Sequence, residues 1–520
     1  MKGGVLTKSF DQKKIKDVAG EIDRLVEERG DHYIAFLSGL LRFETASGQK
    51  TRAGQDKFQE AIKNCLEYLR VESERLSMAF RNYDNLAAVA ELKTKQKSQR
   101  SVGVAAHIDV VPAGKGWRYP PFGGTVAEGC IWGRGAQDDK GPVASVYSAL
   151  DALKSLGLRQ VSDIRFLIGT LEETDDWPDV DLLRDKRETP DVTIVPDGIF
   201  PVINAEKGMA MLELSGTWPE EKPSAEKPRF ISLTSGQRHN MVPDTAVLTL
   251  LAESSQKSAI ARRLTDTAVT LKEIIPDSDF SMTHKEDSKN SGKTIFELSF
   301  LGKSAHGAFP EKGHNAALDA LAFIDMLEYG PEGLRVFAGG LSRRCGLLDG
   351  SGFGIGCHHD YMGNTTINLG VLTLTPKSGN ALVNVRYPSG VESANVRAAF
   401  EKAAAEDSNA LDGLKVKSRI HGRIHEALFI SPDNHPEFLH SLQIAYETVT
   451  GRPATLNSIR GTTYAKAFPA AVAFGPLDEK AGDIEMAHEV DERIRIDRYL
   501  ENIKIYALAL ALLAYNHQHY

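Results

Sequence analysis

The hydrophobic pattern of this chain changes character along its length. Residues 11–70 read as helical. Beyond residue 100 the apolar positions gather into short β-branched runs, Val102–Ala106, Ile164–Thr170 and Val192–Pro196, and Gly141–Leu156 supplies a crossover helix. Strand and helix alternating over residues 101–200 predict a mostly parallel sheet. A charged, proline-rich, turn-like stretch, Pro219–Pro228, opens a new texture. Strands are predicted at Phe230–Thr234, Ala246–Leu251, Thr294–Gly302, Thr366–Leu374 and Ala381–Tyr387, with helices near Ala259–Ile274, Ala316–Leu327 and Val391–Ala405. From about Ala427 a helix, a strand at Ala470–Gly475 and an apolar helix at Ala507–Tyr515 look like a return to the first domain. The 520 residues exceed one ordinary core. The expected fold class is α/β, with a mostly parallel-sheet domain formed by residues 1–207 and 427–520 and an inserted α+β domain at 208–426.

Charge narrows the partners. Lys and Arg total 62 against 70 Asp and Glu, a formal charge of −8 without a basic tract, which argues against nucleic acid or an anionic membrane. Met1–Val5 runs into Asp11–Lys14 without an apolar core, so no signal peptide is expected. Ala507–Tyr515 is short of the roughly 20 residues that span a bilayer. Cys65, Cys130, Cys345 and Cys357 form no CxxC pair, which fits reduced thiols in a cytoplasm.

The candidate chemistry lies where the strands stop. The first runs into His107-Ile108-Asp109, the second into Glu172-Glu173, and the third into Asp197. In open α/β sheets ligands sit beyond the carboxyl ends of strands, where these groups would converge. His107 and Asp109 share a strand face, so the imidazole could ligate a metal while the carboxylate orients its ring. The plain alternative is a polar strand end capped by ordinary hydrogen bonds. His488, after the run Ala470–Gly475, completes the set.

The chain resembles the M20 family of metallopeptidases, most closely its PepV-like dipeptidases, along nearly its whole length. The likeness rests on six segments in fixed order: His107–Pro112, Gly135–Gly141, Gly169–Glu173, Asn240–Asp244, Gly302–His306 and Val383–Arg386. It implies two metal ions bridged by Asp138, with His107 and Asp197 completing one site and Glu173 and His488 the other. Asp109 would be the partner of His107. Zinc fits this donor set best, and manganese or cobalt would also be accepted. Adjacent residues at a strand end point in different directions, so Glu173 can ligate while Glu172 faces a water as general base. The resemblance also implies a cis Asp138–Asp139 bond and a lid, made by the insertion, that closes over substrate. There His306 and Asn240 would steady the oxyanion, and Arg386 would clamp the substrate's terminal carboxylate. Without the resemblance, Asn240 reads as a turn residue, His306 as a loop residue and Arg386 as half of a sheet salt bridge.

Other features carry less. Cys357-His358-His359-Asp360 reads as a loop, and His421 and His425 as exposed lid residues. Gly461–Lys466 and His488–Glu492 depart from the relatives' Gly-Gly-Thr-Tyr-Ala-Arg and His-x-x-Asn-Glu, which bears on substrate preference more than on reaction type. The expectation is a cytoplasmic metal-dependent dipeptidase acting on small peptides, with no nucleic-acid or membrane partner, as a monomer with a dimer the alternative. The runner-up is an N-acyl amino-acid amidohydrolase of the same family. A reading of another class is a non-catalytic binding protein on the same fold, against which every expected chemical residue is present.

Overall fold

The computed structural model describes residues 11–516 apart from 49, 50, 99, 175, 221–226, 289, 291 and 328. The N-terminal pentapeptide and most of the Pro219–Pro228 stretch therefore lie outside the described residues. The chain divides into two compact units: residues up to Ala205 together with those from Leu428, and Glu206–Ala427.

In the first unit, a nine-stranded sheet has four parallel strands at its centre, in the order Asp163–Gly169, Ser101–His107, Val192–Val195, Ala471–Ala473. Antiparallel Ala87–Leu92 and Ala79–Tyr83 extend one side, and Val202–Glu206 and its partners the other. Both faces are covered, which is why these strands read as unbroken apolar runs. Val102, Val104, Phe166 and Ile168 enter a core with helices Gln12–Leu40, Lys140–Ser155, Pro436–Thr450 and Ile496–Ala514. Ala105 and Leu167, one residue out of phase, enter a smaller core with Trp177, Leu183 and Tyr464. Among the described residues no helix is long and apolar enough to cross a membrane.

The stretch expected to be helical over 11–70 is two helices, Gln12–Leu40 and Arg52–Arg75. Asp11 starts the first by accepting from the N–H groups of Lys13 and Lys14. The C-terminal helix begins at Ile496, eleven residues before the apolar run, because its first turns carry the charged residues Asp497, Arg498 and Glu501.

The second unit is an eight-stranded antiparallel sheet, in the order Asp279–Glu286, Lys293–Leu301, Thr245–Glu253, Arg229–Ser235, Thr366–Leu374, Ser378–Tyr387, Gly208–Thr217, Lys415–Ile420. Alternate side chains such as Leu248, Leu250, Leu298 and Phe300 bury against helices Lys257–Ile274, Ala316–Leu327, Glu332–Cys345 and Ser393–Ala410. The order has an internal correspondence. In each half, a strand beside the central pair leads through an 18-residue helix to the edge strand, with one strand between them. His425 corrects the expectation of an exposed residue: it is 6% exposed, because its backbone pairs with Met209 and the Tyr387 hydroxyl donates to its carbonyl.

Candidate metal centre

Two groups of potential ligands meet at the carboxyl ends of the parallel strands. His107, Glu172 and Asp197 form one; Asp138, Glu173 and His488 form the other, with ligand atoms in each within 4.8 Å of one another. Asp138 faces both. Its Oδ1 lies 3.0 Å from His107 Nε2 and its Oδ2 3.1 Å from His488 Nε2, and that same nitrogen is 3.0 Å from Glu173 Oε1. One carboxylate oxygen thus serves each group. Glu172 and Glu173 diverge, one to each.

The backbone fixes this divergence. Both oxygens of buried Asp109 accept N–H groups, from Glu172 and Glu173, at 3.1 Å each. His107 Nδ1 lies 3.0 Å from the Asp109 carbonyl and 3.3 Å from its carboxylate, so the backbone oxygen is the nearer partner of the ring. The Asp138–Asp139 peptide is cis, and the Asp139 carboxylate accepts the His107 N–H at 3.1 Å.

His488 sits in a loop at φ +67° and is side-chain exposed to 54%. Glu492, fully buried, accepts from the N–H groups of Gly135, Gln137 and Asp138 and from Arg134 Nη1 at 2.6 Å. The Gln137 amide binds the carbonyls of Ile484 and Arg493 and accepts from Met486 N–H. The segment bearing Asp138 and the loop bearing His488 are thereby tied together. The sequence signal for Glu492 was its place in the His488–Glu492 motif; Gln137 gave none beyond its own motif.

The electrostatics call for positive charge. Burial pushes Glu172 well above the usual carboxylate range, and the negative charges of Asp197, Glu173 and Asp138 add to it against His107. Burial also raises Glu173. Asp138 is pushed up by burial, but the two imidazoles beside its oxygens outweigh this and hold it well below its ordinary value. Burial works to lower His107, yet Asp109 and Asp138 raise it; His488 is raised to about 11 by Asp138 and Glu173. Four carboxylates packed this closely are costly without compensating cations. Moreover, His107 Nε2 and Asp138 Oδ1 are buried 3.0 Å apart, and among the described residues neither makes a hydrogen bond. Mixed imidazole and carboxylate donors fit zinc, manganese or cobalt.

His306, Asn240 and Arg386 lie in the second unit. His306 Nδ1 accepts the Ala308 N–H at 3.2 Å, which leaves the proton of a neutral ring on Nε2. Burial, then Arg386, lowers its pKa and favours that neutral form. The Asn240 carbonyl accepts the Gly307 N–H at 2.6 Å, pinning Asn240 beside His306. Arg386 is 5% exposed, donates from Nε to Asn384 Oδ1 at 3.1 Å, and is pushed down to about 10 by burial. Cys357–Asp360 joins no metal group among the described residues; His358-His359 pairs with Gly363-Asn364 as a small hairpin.

Residues 103–512 match the model of peptidase family M20/M25/M40. A Bacillus subtilis protein named "Putative dipeptidase YtjP" is 32% identical over 477 residues, covering 91% of this chain and 96% of its own. Among solved structures, human carnosine dipeptidase 1 superposes with a TM-score of 0.56 at 14% identity, over 95% of this chain and 98% of that one. The Saccharomyces cerevisiae di-peptidase Dug1p gives 0.57 at 12%, with the same coverage. At such identities these two likenesses concern the fold alone.

Proposed function

We propose, from the premise that this chain belongs to peptidase family M20/M25/M40 and is a peptide-bond hydrolase, that it is a dipeptidase acting on unblocked dipeptides with Glu172 as general base. The observation that carries this reading is the Asp138 carboxylate set between two imidazoles, with Glu172 and Glu173 directed to opposite sides of it. His107, Asp138 and Asp197 would hold one divalent ion and Asp138, Glu173 and His488 a second, zinc being the best match to these donors. Bound there, such ions would supply Lewis acidity, lowering the pKa of a water and polarising a peptide carbonyl.

The protein's own groups do the rest. Glu172 takes a proton from the attacking water and returns it to the leaving amine, so its carboxyl alternates between two states in one turnover. Asp109 keeps Glu172 and Glu173 apart by holding both N–H groups and fixes the His107 ring through Nδ1. His306 donates from Nε2 to the oxygen that gains charge, assisted by Asn240, as preset donors do for charge developing in a transition state. Arg386 takes the substrate's terminal carboxylate, for which a planar guanidinium offers two parallel donors. The relative named a dipeptidase spans nearly the whole chain, which favours dipeptides over N-acylated amino acids.

The test compares free and N-acetylated alanyl-leucine, with metal stripped by chelation and then restored. Hydrolysis of the free dipeptide, lost on chelation and recovered with zinc or manganese, is expected. Equal cleavage of the blocked compound would overturn the dipeptidase reading in favour of an amidohydrolase.

A further inference from the structure

The loop that carries Glu172 and Glu173 is held by two buried carboxylates, and only Asp109 has a role so far. Four consecutive N–H groups leave the end of strand Asp163–Gly169. Those of Glu172 and Glu173 go to Asp109; those of Thr170 and Leu171 go to Asp179 Oδ2, at 2.8 and 2.9 Å. Asp179 lies in the first turn of helix Pro178–Asp185, is fully buried and belongs to neither ligand group. Its Oδ2 also accepts the Tyr464 hydroxyl, and its Oδ1 the Val180 N–H at 2.8 Å.

Tyr464 connects this anchor to the other side of the site. It is 2% exposed, and its ring stands edge-on to Trp177 at 5.1 Å and to His107 at 6.0 Å between centroids. Trp177 in turn donates from Nε1 to the Glu172 carbonyl at 2.9 Å. The hydroxyl reaches Asp179 only because residue 169 is glycine: a Cβ there would lie 2.3 Å from it. The backbone around Glu172 is thus held by Asp179 and Trp177 as well as by Asp109.

We infer that Asp179, locked by Tyr464, is a positioning residue for the general base: it sets the 170–173 loop so that the Glu172 carboxylate points at the reacting water. This rests on the assignment of Glu172 as base. The chemistry of the contact is specific to a carboxylate, since one oxygen takes three donors and the other a fourth. An amide would turn one of those acceptors into a donor facing N–H or O–H groups.

The test is a cycle of Asp179→Asn and Glu172→Gln, with Tyr464→Phe alongside, reading kcat, KM and bound metal on free alanyl-leucine. Asp179→Asn should lower kcat by about 10- to 100-fold with KM and metal content unchanged. In the Glu172→Gln background it should add almost nothing, because the group it positions is already gone. Tyr464→Phe, which keeps the ring, should lower kcat less but in the same direction. A wild-type kcat in Asp179→Asn, an equal loss in both backgrounds, or a loss explained by metal release would overturn the proposal. Should Asp179→Asn not fold, a wild-type kcat in Tyr464→Phe overturns it alone. Normal turnover by Glu172→Gln would instead sink the base assignment and this inference with it, so the two failures are told apart.

Discussion

At the scale of single residues, burial raises Glu172 together with the negative charges around it, whereas at Asp138 two imidazoles overcome burial. Glu172 and Glu173 are adjacent in sequence yet serve different groups, because Asp109 takes both of their N–H groups. Replacing Glu172 by Gln keeps shape and removes the proton acceptor. The variant should bind as much metal as the wild type while turnover falls by about 10²- to 10⁴-fold, measured by metal analysis beside initial rates. Arg386→Lys retains charge but loses the planar pair of donors, so KM for dipeptides should rise more than kcat falls. His107, Asp138, Glu172, Glu173, Asp197 and His488, all singled out at strand ends or in short motifs, lie in the two ligand groups. Asp179 and Trp177 were not legible as parts of the site, and Gln137 and Tyr464 only as members of the segments Gly135–Gly141 and Gly461–Lys466, with no role of their own. Trp177 and Asp179 act on backbone groups of the loop just before them, and Tyr464 and Gln137 on distant segments; in both cases the contact is a hydrogen bond or a packed ring that no apolar periodicity encodes.

At the scale of elements, the supports of the site are loops tied by buried carboxylates. Glu492 joins Gly135–Asp138 to the loop of His488. Glu492→Ala should weaken metal binding by about 10- to 100-fold, seen as a lower metal content after dialysis, although Glu492 is no ligand. Helices are clasped likewise: Asp151 on Lys140–Ser155 takes Arg29 and Tyr33 from the first helix and Arg75 from the second. Burial pushes Asp151 up, but those partners outweigh it and hold it below its ordinary value of 3.8; Glu91 and Glu188, set among Arg81 and Arg165, behave in the same way. A carboxyl depressed by folding adds stability above its unfolded pKa and loses it as pH falls through the folded value. The melting temperature should therefore hold down to about pH 5 and drop below about pH 4, and Asp151→Asn should flatten part of that drop. Most strands with unbroken or alternating apolar runs were legible in the sequence, although Ala87–Leu92 and Val202–Glu206 were not named. Gly208–Thr217 was not, because Gly208, Glu213, Ser215 and Gly216 interrupt its apolar positions. Helix Glu332–Cys345 was hidden by Gly339 and Gly340, the latter leaving room for Asp407 and Arg344.

For the whole molecule, the sequence of elements explains why candidate ligands from position 107 to position 488 meet. The chain leaves the sheet domain after Val202–Glu206, builds the second unit, and re-enters to add Ala471–Ala473 beside Val192–Val195. That return was legible as a helix, a strand at Ala470–Gly475 and a final apolar helix, and the observed strand is three residues long, Ala471–Ala473. Metal bound to the folded chain alone should raise its melting temperature in proportion to the logarithm of free metal, and chelation should reverse the rise. On this reading Asp138 is shared by two cations, and anomalous diffraction from crystals grown with zinc would locate them. Two peaks are expected on either side of the Asp138 carboxylate, one beside His107 and Asp197 and one beside Glu173 and His488. A single peak, or two that do not share Asp138, would contradict it.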